Sequence, residues 1–168
     1  VEDKKTDDGG DYFAISPKGY VPALRLDDGV VLNEGPSVLQ YLADRKPEAG
    51  LAPADIDYLN LHGTATQHND AMESLAVASL FPGGVACSST KPMTGHTLGA
   101  AGALEAAFCW LSLTHRLLPP HVWDGHPDPA LPALQWVRSG DSLKKTCLMS
   151  NSFAFGGNNV SLIIAEAP

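Results

Sequence analysis

The sequence predicts an α/β chain: a layered α/β domain over residues 54–168, preceded by a ββα piece over residues 1–53. Three observations predict it. Short apolar or alternating runs of strand length recur at 56–61, 85–89, 134–137, 146–150 and 160–165. Stretches with apolar residues three and four positions apart, the helical spacing, lie among them. Strands alternating with helices imply layers packed on a sheet. Composition also breaks near residue 53, because every His, Cys and Trp lies after it.

In the first part, Ser16-Pro17-Lys18-Gly19 is turn chemistry. Residues 20–26 alternate as a strand, with Pro22 at its start, where a missing N–H is tolerated. Asp28-Gly29 signals a hairpin, and Val30-Val31-Leu32 is the return strand. Asn33-Glu34-Gly35-Pro36 opens a helix to Asp44 with Val38, Leu39, Tyr41 and Leu42 on its apolar side. Two kinds of sequence then abut around Gly50-Leu51-Ala52-Pro53-Ala54.

In the second part, a strand at 56–61 runs into His62-Gly63-Thr64-Ala65-Thr66. A helix from Asn69-Asp70 to Leu80 carries Met72, Leu75 or Ala76, and Ser79 along one side, and Phe81-Pro82-Gly83-Gly84 closes it. After the strand at 85–89, Gly95-His96 reads as the entry to a helix whose buried face is Leu98, Ala101, Leu104, Phe108 and Leu111. A Pro-rich surface run reaches Pro132, and strands at 134–137, 146–150 and 160–165 complete the chain.

The totals exclude several classes. With 44% hydrophobic and 18% charged residues the chain reads as globular rather than disordered. A net charge of −8 without a basic cluster argues against nucleic acid as a partner. No apolar stretch has the length of a membrane span, and the polar N-terminus does not read as a secretory leader. Three cysteines, Cys87, Cys109 and Cys147, form neither a disulfide framework nor a zinc pattern, so a reducing, cytoplasmic setting without metal or cofactor is expected.

The candidate chemistry gathers at residues 89–105, where Lys91, His96 and Glu105 fall within fifteen positions. At the first turn of a helix the positive dipole end disfavours imidazolium, and a neutral imidazole can donate to a developing oxyanion. From the residues alone, a small-residue packing helix with a surface His accounts for the stretch as well as a catalytic helix does.

Four signatures resemble the C-terminal part of the β-ketoacyl-acyl carrier protein synthases, condensing acyltransferases of the thiolase fold. They are His-Gly-Thr-Ala-Thr (62–66), Ser-Ser-Thr-Lys (88–91), Gly-His-Thr-Leu-Gly-Ala-Ala-Gly (95–102) and Asn-Ser-Phe-Ala-Phe-Gly-Gly-Asn-Asn (151–159). The resemblance implies a partial thiolase-like domain and the decarboxylative Claisen condensation of a 3-oxoacyl-acyl carrier protein synthase, in fatty acid or polyketide biosynthesis. It assigns His62 and His96 as oxyanion donors and Lys91 beside His96 as the partner of Glu105. Phe155 becomes a gating residue on a loop freed by Gly156 and Gly157. It also implies acyl carrier protein and acyl or malonyl thioesters as partners, and dimerisation. The family's nucleophilic Cys sits on an elbow in the N-terminal half, which none of the three cysteines here matches, so the chain alone is expected to be inactive. His68, His115, His121 and His126 read as structural or surface residues.

Residues 7–53 resemble the thioredoxin-like N-terminal domain of bacterial glutathione transferases, through Ser16 to Leu24, Leu26 to Gly29 and Leu32 to Asp44. That resemblance implies a cis Val21–Pro22 bond, Val21 backbone pairing with glutathione, and Glu34 with Gly35 at its γ-glutamyl end. The thiol-activating element has no counterpart, so this is half of a glutathione site. The combined expectation is a chimera joined near residue 53, with a glutathione-binding fragment or a non-catalytic product as the alternatives.

Overall fold

In the computed structural model the described residues are 23–25, 31–33, 51–153 and 159–166. They fall into two compact units, each taken by itself.

The first holds a hairpin. Strands β1 (Ala23–Arg25) and β2 (Val31–Asn33) pair antiparallel, with Leu24 opposite Leu32. This is the hairpin expected around Asp28-Gly29. Of the helix expected to open at Asn33-Glu34-Gly35-Pro36 and run to Asp44, Asn33 ends β2 instead, and the rest lies outside the described residues.

The second unit is built on a five-stranded sheet. Its strands are β3 (Tyr58–Asn60), β4 (Ala86–Ser88), β5 (Gln135–Trp136), β6 (Cys147–Phe153) and β7 (Asn159–Ala165), in the order β5-β4-β3-β6-β7. β3 is parallel to β4 and to β6, and β4 is parallel to β5. Asn60 therefore stands level with Ser88 on one side and Ser150 on the other. Parallel strands are covered on both faces, and the central ones bury polar as well as apolar side chains, Asn60, Ser88 and Ser150 beside Tyr58, Leu59, Cys87 and Leu148.

Successive side chains of a strand point to opposite faces, so each strand serves two cores. Leu59, Leu61, Cys87 and Cys147 join Val77, Phe81 and Val85 in one. Tyr58 and Leu148 join Cys109, Leu113, Leu118 and Val137 in the other. Full burial of each such Leu, Val or Phe contributes roughly 1.5–3 kcal/mol.

Helix α1 (Gln67–Leu80) covers the first core and ends where the N–H of Phe81 bonds the Val77 carbonyl ahead of Pro82. Its buried side is Glu73, Ser74 and Val77, whereas Leu75 is 60% exposed. The expected face along Met72, Leu75 and Ser79 is thus rotated, because a carboxylate, not a methyl-rich side chain, turns inward. A single short turn, α2 (Lys91–Thr94), follows β4, and a 3₁₀ turn (Leu98–Ala100) leads into α3 (Ala101–His115). Helix α3 ends at Arg116 in the left-handed region, φ 58°.

The expected face of α3 is also displaced. Ala101, Glu105, Cys109, Ser112 and Leu113 are buried, while Leu98, Trp110 and Leu111 are exposed, Trp110 by 60%. Hydrophobicity marked the wrong side because the buried face holds the charge. The Pro-rich run at 119–134 has no helix or strand, and the N–H of His121 ties it to the Val137 carbonyl at 2.9 Å.

Among the described residues no helix is long and apolar enough to cross a membrane. None of their His, Cys, Asp and Glu side chains group in a way that could hold a metal ion.

Candidate functional site

All parallel strands of the sheet run the same way, so the segments leaving β3, β4 and β6 emerge at one edge of it. His62 and Gly63 follow β3, Ser89 to Lys91 follow β4, and Asn151 with Ser152 occupy the last part of β6. This is where sequence signatures separated by up to ninety residues meet.

The His62 turn is held by a buried carboxylate. Glu73 Oε1 accepts the N–H of His62 and Oε2 accepts that of Gly63, each at 2.9 Å. Asn151 Nδ2 donates to Oε1 at 3.1 Å. Ser89 Oγ donates to the Gly63 carbonyl at 2.8 Å. Gly63 has φ +40°, and a Cβ there would lie 2.6 Å from Ser89 Cβ, so both conformation and space require glycine.

Lys91 is buried and forms an ion pair with Glu105 from α3. The second oxygen of Glu105 accepts the Ser152 hydroxyl at 3.4 Å. Lys91 Nζ also lies 3.5 Å from His62 Nδ1. An ammonium has no lone pair, so His62 Nδ1 is the acceptor and its proton resides on Nε2. The contact falls on His62, not on His96 beside which the sequence put it.

His96 is exposed, and its ring centroid lies 5.5 Å from that of His62, edge to face at 86°. It sits between α2 and the 3₁₀ turn, five positions before α3 begins. The expected place at the first turn of a long helix is therefore corrected: the stretch Gly-His-Thr-Leu-Gly-Ala-Ala-Gly lacks a side-chain cap, and Leu98 takes a left-handed φ of 52°. The helix-dipole argument for His96 falls with it.

The electrostatics favour a neutral His62. Burial first, then the neighbouring Lys91 and His96, holds its imidazole at about pKa 4, against 6.5 for an ordinary one. Burial pushes the Glu105 carboxyl up, and Lys91 pulls it back. Burial likewise raises Glu73, opposed by its bonds to Gly63, Asn151 and His62. Cys87 and Cys109 are pushed up to about 12, both mainly by burial, and Cys147 is raised too. All three thiols stay protonated at neutral pH and none is an activated nucleophile.

Of the residues singled out from sequence, His62, His96, Lys91 and Glu105 come together. Phe155, Gly156 and Gly157 lie outside the described residues, as do Val21, Pro22, Glu34 and Gly35. Ser89 and Ser152 lie within the quoted signatures without a role of their own, His121 reads from sequence as structural or surface, and Glu73 is not singled out there. A carboxylate amid the otherwise apolar spacing of α1 was the one available signal for Glu73.

The description "Beta-ketoacyl synthase, C-terminal domain" belongs to a family model that matches residues 29–123, more than half of the chain. The chain belongs to the β-ketoacyl synthase family. Among curated ketosynthase relatives it is 43% identical over 126 residues to the mitochondrial 3-oxoacyl-[acyl-carrier-protein] synthase of Arabidopsis thaliana, covering 71% of this chain and 27% of that protein. It is 40% identical over 122 residues to 3-oxoacyl-[acyl-carrier-protein] synthase 2 of Coxiella burnetii, covering 71% and 30%. The chain thus spans under a third of the length of these relatives.

Solved ketosynthases share the fold. The ketosynthase ApeO of Xenorhabdus doucetiae, solved in complex with its chain length factor ApeC, gives a TM-score of 0.68 at 52% identity, over 73% of this chain and 31% of that one. A β-ketoacyl synthase from Burkholderia phymatum gives 0.68 at 38% identity, over 73% and 30%. The layered α/β fold expected for the ketosynthase part is borne out. A second family model, the glutathione S-transferase N-terminal domain, matches residues 2–45 and overlaps the ketosynthase match over 29–45.

Proposed function

We propose that this chain carries the oxyanion-stabilising half of a condensing site and serves an acyl carrier protein-dependent, decarboxylative Claisen condensation. The observation that carries this reading is the pair of imidazoles, His62 and His96, 5.5 Å apart above a buried Lys91–Glu105 pair. Loss of carbon dioxide from a malonyl thioester leaves an enolate whose negative charge sits on the thioester oxygen. Two N–H donors aimed at one oxygen stabilise that charge, and a neutral His62 protonated at Nε2 is such a donor. Lys91 keeps His62 in that tautomer by occupying Nδ1 with a donor, and Glu105 balances the lysine.

The enolate carbon then attacks the carbonyl of an acyl thioester: a carbon–carbon bond forms, the carbon–sulfur bond breaks, and the thiolate leaves and takes up a proton. The thioester is carried on a cysteine, and Cys87, Cys109 and Cys147 are buried, protonated thiols. The acyl-bearing thiol is supplied from outside the described residues, by ketosynthase sequence that this chain does not span. Malonyl and acyl thioesters of a carrier protein are the substrates, and a second ketosynthase-fold subunit is the expected partner.

The test is a graft. Residues 56–166 replace the corresponding segment of the Arabidopsis relative, and 3-oxoacyl product is measured by mass spectrometry. Turnover that is lost in His62→Ala and in His96→Ala supports the reading. A folded graft with no turnover sinks it.

The family match at residues 2–45 and the β1–β2 hairpin support a second reading for the N-terminal stretch, a glutathione-site fragment joined near residue 53. Val21, Pro22, Glu34 and Gly35 would hold the tripeptide. Retention on immobilised glutathione that Glu34→Ala abolishes is the outcome expected of it.

A further inference from the structure

We propose that His121 is a positioning residue for His62, acting through Ser89. The inference rests on the reading of His62 as an oxyanion donor, but its geometry stands apart from the condensation itself.

His121 follows Pro119-Pro120 at the start of the Pro-rich run, and its N–H bonds the Val137 carbonyl. Its ring stacks on Trp136, centroids 4.1 Å apart and planes 13° from parallel, with Trp123 tilted alongside at 5.8 Å. The stack sets the plane of the imidazole. In that plane Nδ1 accepts the backbone N–H of Ser89 at 3.2 Å. Ser89 is the residue at which β4 leaves the sheet, and it is buried, so its N–H needs an acceptor.

Ser89 in turn holds both sides of the His62 site. Its hydroxyl donates to the Gly63 carbonyl at 2.8 Å, next to His62. The same oxygen accepts the N–H of Lys91 at 3.4 Å, and Lys91 Nζ faces His62 Nδ1. One imidazole thus fixes the single serine from which the turn of His62 and the backbone of Lys91 are both held.

His121 also walls a cavity of about 500 Å³ bounded by Gly63, Ser89, Glu73, Trp123 and Trp136. The charged and titratable groups around it are Asp70 and Glu73 from α1, and His126 and Asp128 from its own loop. Burial holds the His121 imidazole below its ordinary range, opposed first by its hydrogen bond with the Ser89 backbone and then by the Asp70 carboxylate. The neutral ring is the form that can accept at Nδ1. A proton there sets a donor against the Ser89 N–H and breaks the contact.

The experiment follows the histidine rings and backbone amides of this chain by NMR titration, with His62→Gln used for assignment. His121→Phe keeps a ring on Trp136 and removes the acceptor. His121→Asn removes the ring and keeps an oxygen where Nδ1 was. In His121→Phe the His62 midpoint is expected to rise from about 4 toward 6.5 by about one unit, tenfold in proton affinity, as the turn loosens. His121→Asn retains most of the wild-type value. His62 unmoved in His121→Phe, or moved equally in both variants, overturns the proposal. In the unaltered chain the Ser89 amide resonance must follow the titration of His121; a Ser89 amide that ignores it overturns the proposal even where His121→Phe does not fold. An inactive graft counts against the condensation and leaves these titrations as they are, so the two failures are told apart.

Discussion

Glu73 grips His62 by the backbone, not by the ring: its two oxygens take the consecutive N–H groups of His62 and Gly63, at 2.9 Å each. A carboxylate is the one side chain that offers two acceptors to two adjacent donors. Glu73→Gln keeps the shape, turns one acceptor into a donor and leaves a buried N–H unmatched. A loss of about 1–3 kcal/mol in urea unfolding is expected, together with a shift of the His62 resonances. Unchanged stability would show that the clamp carries nothing.

The titration of His62 sets a pH window for stability. Its folded value is about 4, against 6.5 in an ordinary imidazole. Above pH 6.5 neither state is protonated there and the contribution is fully present. Between 6.5 and 4 the unfolded chain takes a proton that the folded chain refuses, so stability falls, by roughly 3 kcal/mol over the window. Below 4 the difference no longer grows. Glu73 and Glu105, whose carboxyls are raised, act with the opposite sign, since the folded state takes their protons first as pH falls. The difference between wild type and His62→Gln, measured by denaturant melts from pH 8 to pH 4, isolates the histidine. A flat difference across that range would contradict the assignment.

The Lys91–Glu105 pair is buried on both sides, so removing one partner strands the other charge. Lys91→Met is expected to cost about 3–5 kcal/mol. Lys91→Met with Glu105→Leu should recover most of it, because the double variant leaves no unpaired charge. A double-mutant cycle by thermal melting gives the coupling; additive losses would mean the two groups do not act as a pair.

Two glycines should answer differently to alanine. Gly63 has a positive φ and Ser89 Cβ in the way, so Gly63→Ala is expected to destabilise by about 1–3 kcal/mol and to perturb His62. Gly99 has open space around its missing Cβ, and Gly99→Ala should be neutral or stabilise by about 0.4–1 kcal/mol. Melting temperatures of the two variants side by side decide it.

The thiols should be inert. Cys87, Cys109 and Cys147 are all buried and held protonated. Labelling with a thiol-specific disulfide reagent at pH 7 is expected to be slow in the native chain and to reach three equivalents only on unfolding. One rapidly labelled cysteine in the native state would reopen the question of a nucleophile within the chain.

Much of the architecture was legible because it is written locally. The runs at 56–61, 85–89 and 146–150 alternate or stay apolar, and each became a parallel strand of the sheet. The convergence of Lys91 with Glu105 was legible too, since a buried carboxylate on a helix needs a cation. What escaped was written across the sheet. Leu98, Trp110 and Leu111 look like core but lie outside, while Glu105 and Ser112 look like surface but lie inside. Periodicity reports where apolar side chains are, not which neighbour meets them. Glu73 and His121 escaped for the same reason: their partners, His62, Gly63 and Ser89, are eleven, ten and thirty-two positions away, and even the charge of Glu73 within α1 does not say which groups it meets.

The alignment of Asn60 with Ser88 and Ser150 makes the sheet a ruler for the chemistry. His62 and Lys91 follow their strands two and three residues beyond that common level, and Ser152 lies two residues beyond it within β6, so their relative heights are set first by strand pairing. Each position along a strand is about 3.3 Å, so a single-residue slip of β4 against β3 would carry Lys91 out of reach of His62 and exchange the two cores at the same stroke. Insertions in the Pro-rich run beyond His121 leave that ruler untouched, whereas one inside β3 resets it. The positions where length can change without moving His62, Lys91 and Ser152 are thereby marked out by hydrogen-bond register, not by distance from the histidines.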